Sequence, residues 1–232
     1  MTRELPEGWP ALEPAAEARA KATALEALGT ASLERYYDTR GDYAGATFAS
    51  ISPNDPYDVT GADLHALTML SVRVGPGATR RVLDDGKPRR DLLEALAELD
   101  PNIPLADAAP TDLANAWSLY TTAKDALADP KVPASDPWVT AAKLVARKRP
   151  HLLPVRDTKV RALLGLATHR DGRLEIQALR ALVTDAEVTD ALDWAVEAAR
   201  ERGRLDDRAC VFDDEPLRIL DAALWMHAVG KP

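Results

Sequence analysis

Along most of the chain apolar residues return every three or four positions, the period of a helix with one face on a core. The spacing predicts a first helix over about residues 11–28, rich in Ala and Glu and stopped by Gly29. Thr60 opens a second, with Asp63 three residues on as an aspartate variant of the capping box. Leu64, Leu67, Leu70 and Val74 mark its buried side until the Gly75-Pro76-Gly77 break. Short helices follow near 78–84 and 89–99, and Thr111 starts a longer one with Leu113, Trp117, Tyr120 and Leu127 on one side. Two more fall near 137–148 and 157–166, joined by the connector "RPHLLPVR", and another near 174–183. Thr184 and Glu187 read as a capping box for a helix reaching Gly203. The last helix opens at Asp214 with Pro216 in its first turn. Leu217, Ile219, Leu220, Leu224 and Trp225 cover so much of its circumference that it must be largely buried.

Residues 38–61 follow no period and are dense in Gly, Asp, Pro and Ser. Within them "ATFASI" reads as a short extended piece. Tyr36, Tyr37, Tyr43 and Tyr57 surround the stretch and are expected to anchor it to a core. With no repeat of fixed period, the fold class is all-α: a compact multi-helix body in one or two lobes. The expected division is an N-terminal helical segment, 1–37, ahead of a helical domain, 38–232.

Composition narrows the classes. A chain of 232 residues buries roughly 70 % of its unfolded surface and needs no disulfide or metal staple. One cysteine, Cys210, excludes an intrachain disulfide and four-cysteine zinc or iron–sulfur sites. His65, His151, His169 and His227 have no ligand spacing, so neither metal nor cofactor is expected. There is no Gly-rich phosphate loop, no G-x-S-x-G elbow and no H-E-x-x-H. No apolar run nears the roughly 18 residues of a membrane span, and the N-terminus lacks the basic start and apolar stretch of a signal peptide. The expectation is a cytoplasmic protein without membrane contact.

Charge redirects attention to one segment. The net charge is −8, yet residues 131–175 hold ten Lys/Arg against four Asp/Glu. A basic segment in an acidic protein is either a docking face for an anion or a set of ion-paired helix surfaces. At its centre lies Asp157, in "VRDTKVRALL", where it reads as the N-cap of a helix.

Thr140-Ala141 at the start of one helix, an apolar connector, and "VRDTKV" with Asp157 17 residues after Thr140 resemble the helix-hairpin-helix DNA glycosylase superfamily, the endonuclease III and MutY-like base-excision enzymes. The likeness covers about 30 residues closely, the helical remainder only in kind. The rest also resembles a family of actinobacterial proteins with "LLARKRP"-like segments and a "WM" near the end, a kinship that implies no activity. The glycosylase resemblance implies a helix-hairpin-helix glycosylase-like core, with a degenerate hairpin and the Asp segment over 133–165. It implies DNA as partner, a base extruded from the duplex, and Asp157 as the carboxylate that stabilises positive charge on the sugar and orients water. Trp138, Thr140, Lys143, Arg147, Lys148, Arg149, Arg156, Lys159 and Arg161 become the candidate nucleic-acid contacts.

The departures are specific. "PASDPWV", residues 133–139, lacks both hairpin glycines and sets Asp136 and Pro137 where bare backbone approaches a phosphate. Val139 stands where bifunctional members carry a lysine nucleophile, so lyase chemistry is not implied. Three readings follow: a monofunctional glycosylase for a modified or damaged base, a non-catalytic DNA-binding module on the same scaffold, or a protein-interaction module that uses its acidic surface and keeps Asp157 only as a cap.

Overall fold

The computed structural model describes residues 4–30, 32–132, 135–169 and 171–230. Among these the chain is all-α, with twelve helices and one isolated bridge, Asp38 to Cys210. It divides into two compact units, Met1–Gly8 with Thr47–Val155 and Trp9–Ala46 with Arg156–Pro232. This differs from a boundary at 37/38. Residues near the start join the C-terminal third, a long-range association that no local pattern announces.

The Thr47–Val155 unit holds α3 (Thr47–Ser50), α4 (Gly61–Met69), α5 (Pro76–Leu83), α6 (Lys87–Ala97), α7 (Pro110–Leu127) and α8 (Trp138–Lys148). The helix α7 packs on α5, α6 and α8, and α4 on α3 and α8. Asp63 caps α4 as its spacing predicts, accepting from the Thr60 amide at 2.7 Å and its hydroxyl at 3.1 Å. The "ATFASI" piece is not extended; Thr47–Ser50 makes one helical turn with Phe48 buried. No face of α8 is polar, because Ala141, Ala142, Leu144, Val145 and Ala146 surround its axis, and its cations are buried with them.

The second unit holds α1 (Pro14–Thr30), α2 (Leu33–Tyr36), α9 (Thr158–Leu163), α10 (Arg173–Val183), α11 (Ala186–Leu205) and α12 (Pro216–Ala228). As its all-round apolar pattern requires, α12 is central, packed against α1, α2, α9, α10 and α11, with Leu220, Ala223, Leu224 and Met226 fully buried. Its N-cap is Glu215, one residue beyond Asp214. The Thr184/Glu187 box is not formed. Asp185 caps α11 by accepting from the Glu187 and Val188 amides, while the Thr184 hydroxyl turns back to the Arg180 carbonyl at 2.8 Å. The Asp185 carboxylate, one residue nearer, already takes those donors.

Of the four tyrosines around the irregular stretch, three gather in this unit. Tyr36 stacks on Tyr43 and meets Tyr37 edge-on, with Trp225 and Phe212 beside them. The Tyr37 hydroxyl donates to Asp213 Oδ2 at 3.0 Å. Burial raises the Asp213 carboxyl above the ordinary carboxylate value, against the opposing pull of Arg218 and the tyrosine hydroxyl. A raised folded-state value means that the native state holds the proton more tightly, so stability is lost as pH rises through that value. Asp213→Asn keeps an acceptor for Tyr37 and does not ionise. Its urea midpoint relative to wild type is therefore expected to improve from pH 3 towards pH 7. A constant difference across that range would show that Asp213 does not titrate with folding.

Candidate functional site

The basic segment does not form a face. Arg147 and Arg149 are fully buried, and Lys143, Lys148 and Arg156 nearly so. Their partners are chiefly backbone carbonyls. Lys143 donates to the Leu70 carbonyl at 2.7 Å. Arg147 donates to the carbonyls of Phe48, Ala49, Ile51 and Pro53, and its Nε reaches Asp63 Oδ1 at 2.8 Å. Lys148 Nζ meets the same carboxylate oxygen at 2.6 Å, with Asn54 Oδ1 and the Asp55 carbonyl each at 3.0 Å. Arg149 donates to the carbonyls of Pro56 and Lys148 and to those of Leu96 and Leu99 at the end of α6. From α6, Arg89 adds the carbonyls of Val59 and Val82.

The irregular stretch 47–59 turns its carbonyls inward, and buried carbonyls need donors. The cations of α8 supply them. Burial pulls the Lys148 ammonium and the Arg149 guanidinium below their ordinary values, with Asp63 opposing the shift at Lys148. Arg147, Lys148 and Arg149, and Lys143 with them, are thus withdrawn as phosphate contacts. A guanidinium enclosed by carbonyls has no surface to offer a DNA backbone.

The other candidates fall on both units. Trp138 and Thr140 lie half-buried in the first turn of α8; Lys159 is exposed and Asp157 half-buried at the start of α9. Thr140 and Asp157 belong to different units, and the chain passes from one to the other between Val155 and Arg156. Of the segment 133–139, Pro133 and Ala134 lie outside the described residues. Asp136 pairs with Lys124 at 3.4 Å, and Pro137 is the N-cap of α8.

Asp157 does cap α9: its Oδ1 accepts from the Lys159 amide at 2.8 Å, and its own backbone is extended as an N-cap requires. The residue before it is unusual. Arg156 has φ +39°, the left-handed region, at a cost of about 1–2 kcal/mol for a side chain with Cβ. Its Nε donates to Glu175 Oε2 at 2.8 Å, both side chains being buried. Arg161 Nε lies 3.7 Å from the same oxygen, and Arg161 also donates to the His169 carbonyl. This pairing withdraws Arg156 from DNA contact as well, and it encloses most of Arg161. Burial raises the Glu175 carboxyl above its ordinary value, against the opposing pull of the two arginines.

Gly172 completes the arrangement. A Cβ there would stand 2.2 Å from Arg156 Nη2 and 2.5 Å from its Cζ. The need is for space, since φ at Gly172 is an ordinary −70°. Gly172→Ala is expected to drive the guanidinium from Glu175 and cost about 2 kcal/mol, read as a lower urea midpoint. Wild-type stability in this variant would mean that the guanidinium swings away freely and that the pair contributes little.

Glu175 and Gly172 carried no local signal of their role. On α10, Glu175 stands among Leu174, Ile176, Leu179 and Leu182, all buried. An acid at a core-facing position was the only available hint. Among the described residues no group of His, Cys, Asp and Glu is placed to hold a metal ion, and no helix is long and apolar enough to cross a membrane. One open groove of about 350 Å³ lies between α1 and α10, lined by Pro14, Glu17, Lys21, Leu182 and Asp185 among others; Asp157 does not line it, and Lys21 is paired to Asp185 across it at 2.9 Å.

A family profile matches residues 30–228, nearly the whole chain. The chain belongs to that family, described as "Family of unknown function (DUF6308)". The matched region includes α2 to α12 and with them Asp157, Arg156, Gly172, Glu175 and the cations of α8. No curated protein matches the chain, and no solved structure matches it.

Proposed function

We propose that the chain is a glycosylase-like hydrolase of the helix-hairpin-helix type, acting on the N-glycosidic bond of a modified or damaged base in DNA, with Asp157 as the working carboxylate. The observation that carries this reading is the left-handed backbone of Arg156, fixed by a buried ion pair immediately before Asp157. An N-cap needs only the extended backbone of Asp157 itself. Strain held in place one peptide away is what a carboxylate aimed at a reacting atom calls for. The 17-residue spacing from Thr140 supports the same reading. So does Val139 at the lysine position, which leaves water as the nucleophile. With Arg147, Lys148, Arg149 and Arg156 engaged internally, backbone contact beside Asp157 in this reading falls to Lys159.

The direct test is incubation with duplexes that each carry one modified base, followed by alkaline cleavage of abasic sites. Strand breaks from one of them are expected at the lesion. Their absence across the set, with no duplex binding at low salt, would sink the reading.

A second reading has an observation of its own. The buried cations and the net charge of −8 favour a module that does not grip phosphates, engages a protein partner through its acidic surface, and keeps Asp157 as a cap. It predicts stable partners in a pull-down together with no affinity for DNA. The remaining form, a non-catalytic DNA-binding scaffold, predicts salt-sensitive duplex binding without base release.

A further inference from the structure

Glu175 is 1 % exposed; it stands in the first turn of α10, where the helix dipole favours an acid, but that preference does not call for its burial. One of its oxygens, Oε2, takes the Arg156 Nε; the other, Oε1, meets no hydrogen-bond donor among the described residues. A carboxylate so enclosed is costly, and it persists where it fixes something else. What it fixes is the far end of Arg156. The guanidinium is held at Glu175 on one side and occupies the space left by the missing Cβ of Gly172 on the other. With that end immobile, the Arg156 backbone is kept at φ +39°, and the next peptide sets the direction of Asp157.

We propose that Glu175 is a positioning residue: through Arg156, lodged beside Gly172, it maintains the left-handed turn that aims the Asp157 carboxylate. This rests on the reading of Asp157 as the working carboxylate. Glu175 itself reaches neither substrate nor water in this role; it acts only through Arg156.

The test reads the geometry of Asp157 in the free protein. The Lys159 amide is bound by Asp157 Oδ1, so its hydrogen exchange reports whether the carboxylate stays in place. Removing both charges together avoids leaving one buried ion alone. In Arg156→Ala/Glu175→Gln the alanine disfavours a positive φ, and Lys159 exchange is expected to rise about tenfold. In Arg156→Gly/Glu175→Gln the glycine tolerates it, and exchange is expected to stay within about threefold of wild type. Glu175→Gln alone is isosteric, keeps an acceptor for the Arg156 Nε, and is expected to raise exchange about threefold by weakening a charge-assisted bond; the urea midpoint of each variant separates loss of fold from loss of positioning. A purely structural Glu175 lowers stability in all three and leaves Lys159 exchange at the wild-type rate in each; that result overturns the proposal.

Where base release is found, the alanine double variant loses kcat with KM unchanged. Absence of base release by the wild-type protein removes the glycosylase reading and leaves the exchange result standing. An unchanged exchange rate removes the positioning role and leaves base release standing.

Discussion

Arg147→Met is expected to cost the Thr47–Val155 unit about 3–5 kcal/mol, a large part of the roughly 5–15 kcal/mol that stabilises a domain. Methionine fills much of the same space and donates nothing. The carbonyls of Phe48, Ala49, Ile51 and Pro53 then lose the donor that reaches them from a fully buried side chain, and Asp63 keeps only Lys148 and its own cap bonds. An orphaned buried acceptor costs its full desolvation, more than the net value of the bond it had. Lysine at 147 rescues little, since one ammonium cannot span four carbonyls and a carboxylate as a planar fork does. Urea denaturation followed through Trp117 and Trp138, which lie in this unit, reads the effect. A loss under about 1 kcal/mol would mean that the 47–59 carbonyls reach water by another route.

Asp157→Asn separates the cap role of Asp157 from its proposed catalytic role. Asparagine caps a helix as well as aspartate does, so stability is expected to move by about 0.5 kcal/mol or less. The charge is lost, however, and base release is expected to fall about a hundredfold or more, the scale for removing a group that stabilises charge in the transition state. Asp157→Ala is the complement: it loses the cap as well and costs about 1 kcal/mol on top of the same catalytic loss. Base release at the wild-type rate in a folded Asp157→Asn protein would take Asp157 out of the mechanism. A loss of activity that merely tracked thermal stability across both variants would do the same.

The helices were legible wherever one stripe of apolar residues faces a core. Leu113, Trp117, Tyr120 and Leu127 foretell α7, and Pro216 with the broad apolar surface behind it foretells a central α12. Asp157 at the head of α9 was equally legible, because capping is a local bond between neighbours. The destination of the cations was not. Charge belongs to a residue, whereas an inward-facing carbonyl belongs to the path of the distant stretch 47–59, which has no period to betray its direction. One hint did exist: with Ala141, Ala142, Leu144, Val145 and Ala146 around the axis of α8, no polar face was left to hold Lys143, Arg147 and Lys148 in water. The cap of α11 was missed for a smaller reason, two adjacent cap-forming residues of which Asp185 is the better placed. The pairing of Arg156 with Glu175 spans 19 residues, and the left-handed turn that it holds lies in backbone angles alone.

The two units are interleaved along the chain: Thr47–Val155 sits as an insert between Trp9–Ala46 and Arg156–Pro232. During synthesis the insert is complete while its host has only α1 and α2, which find no α12 to pack on. The host must therefore wait, holding Ala24, Ala27, Leu28 and Leu33 without their final neighbours until α12 emerges. A nascent chain halted after Val155 would carry one finished unit and two helices, α1 and α2, with their core faces uncovered, a natural client for a chaperone.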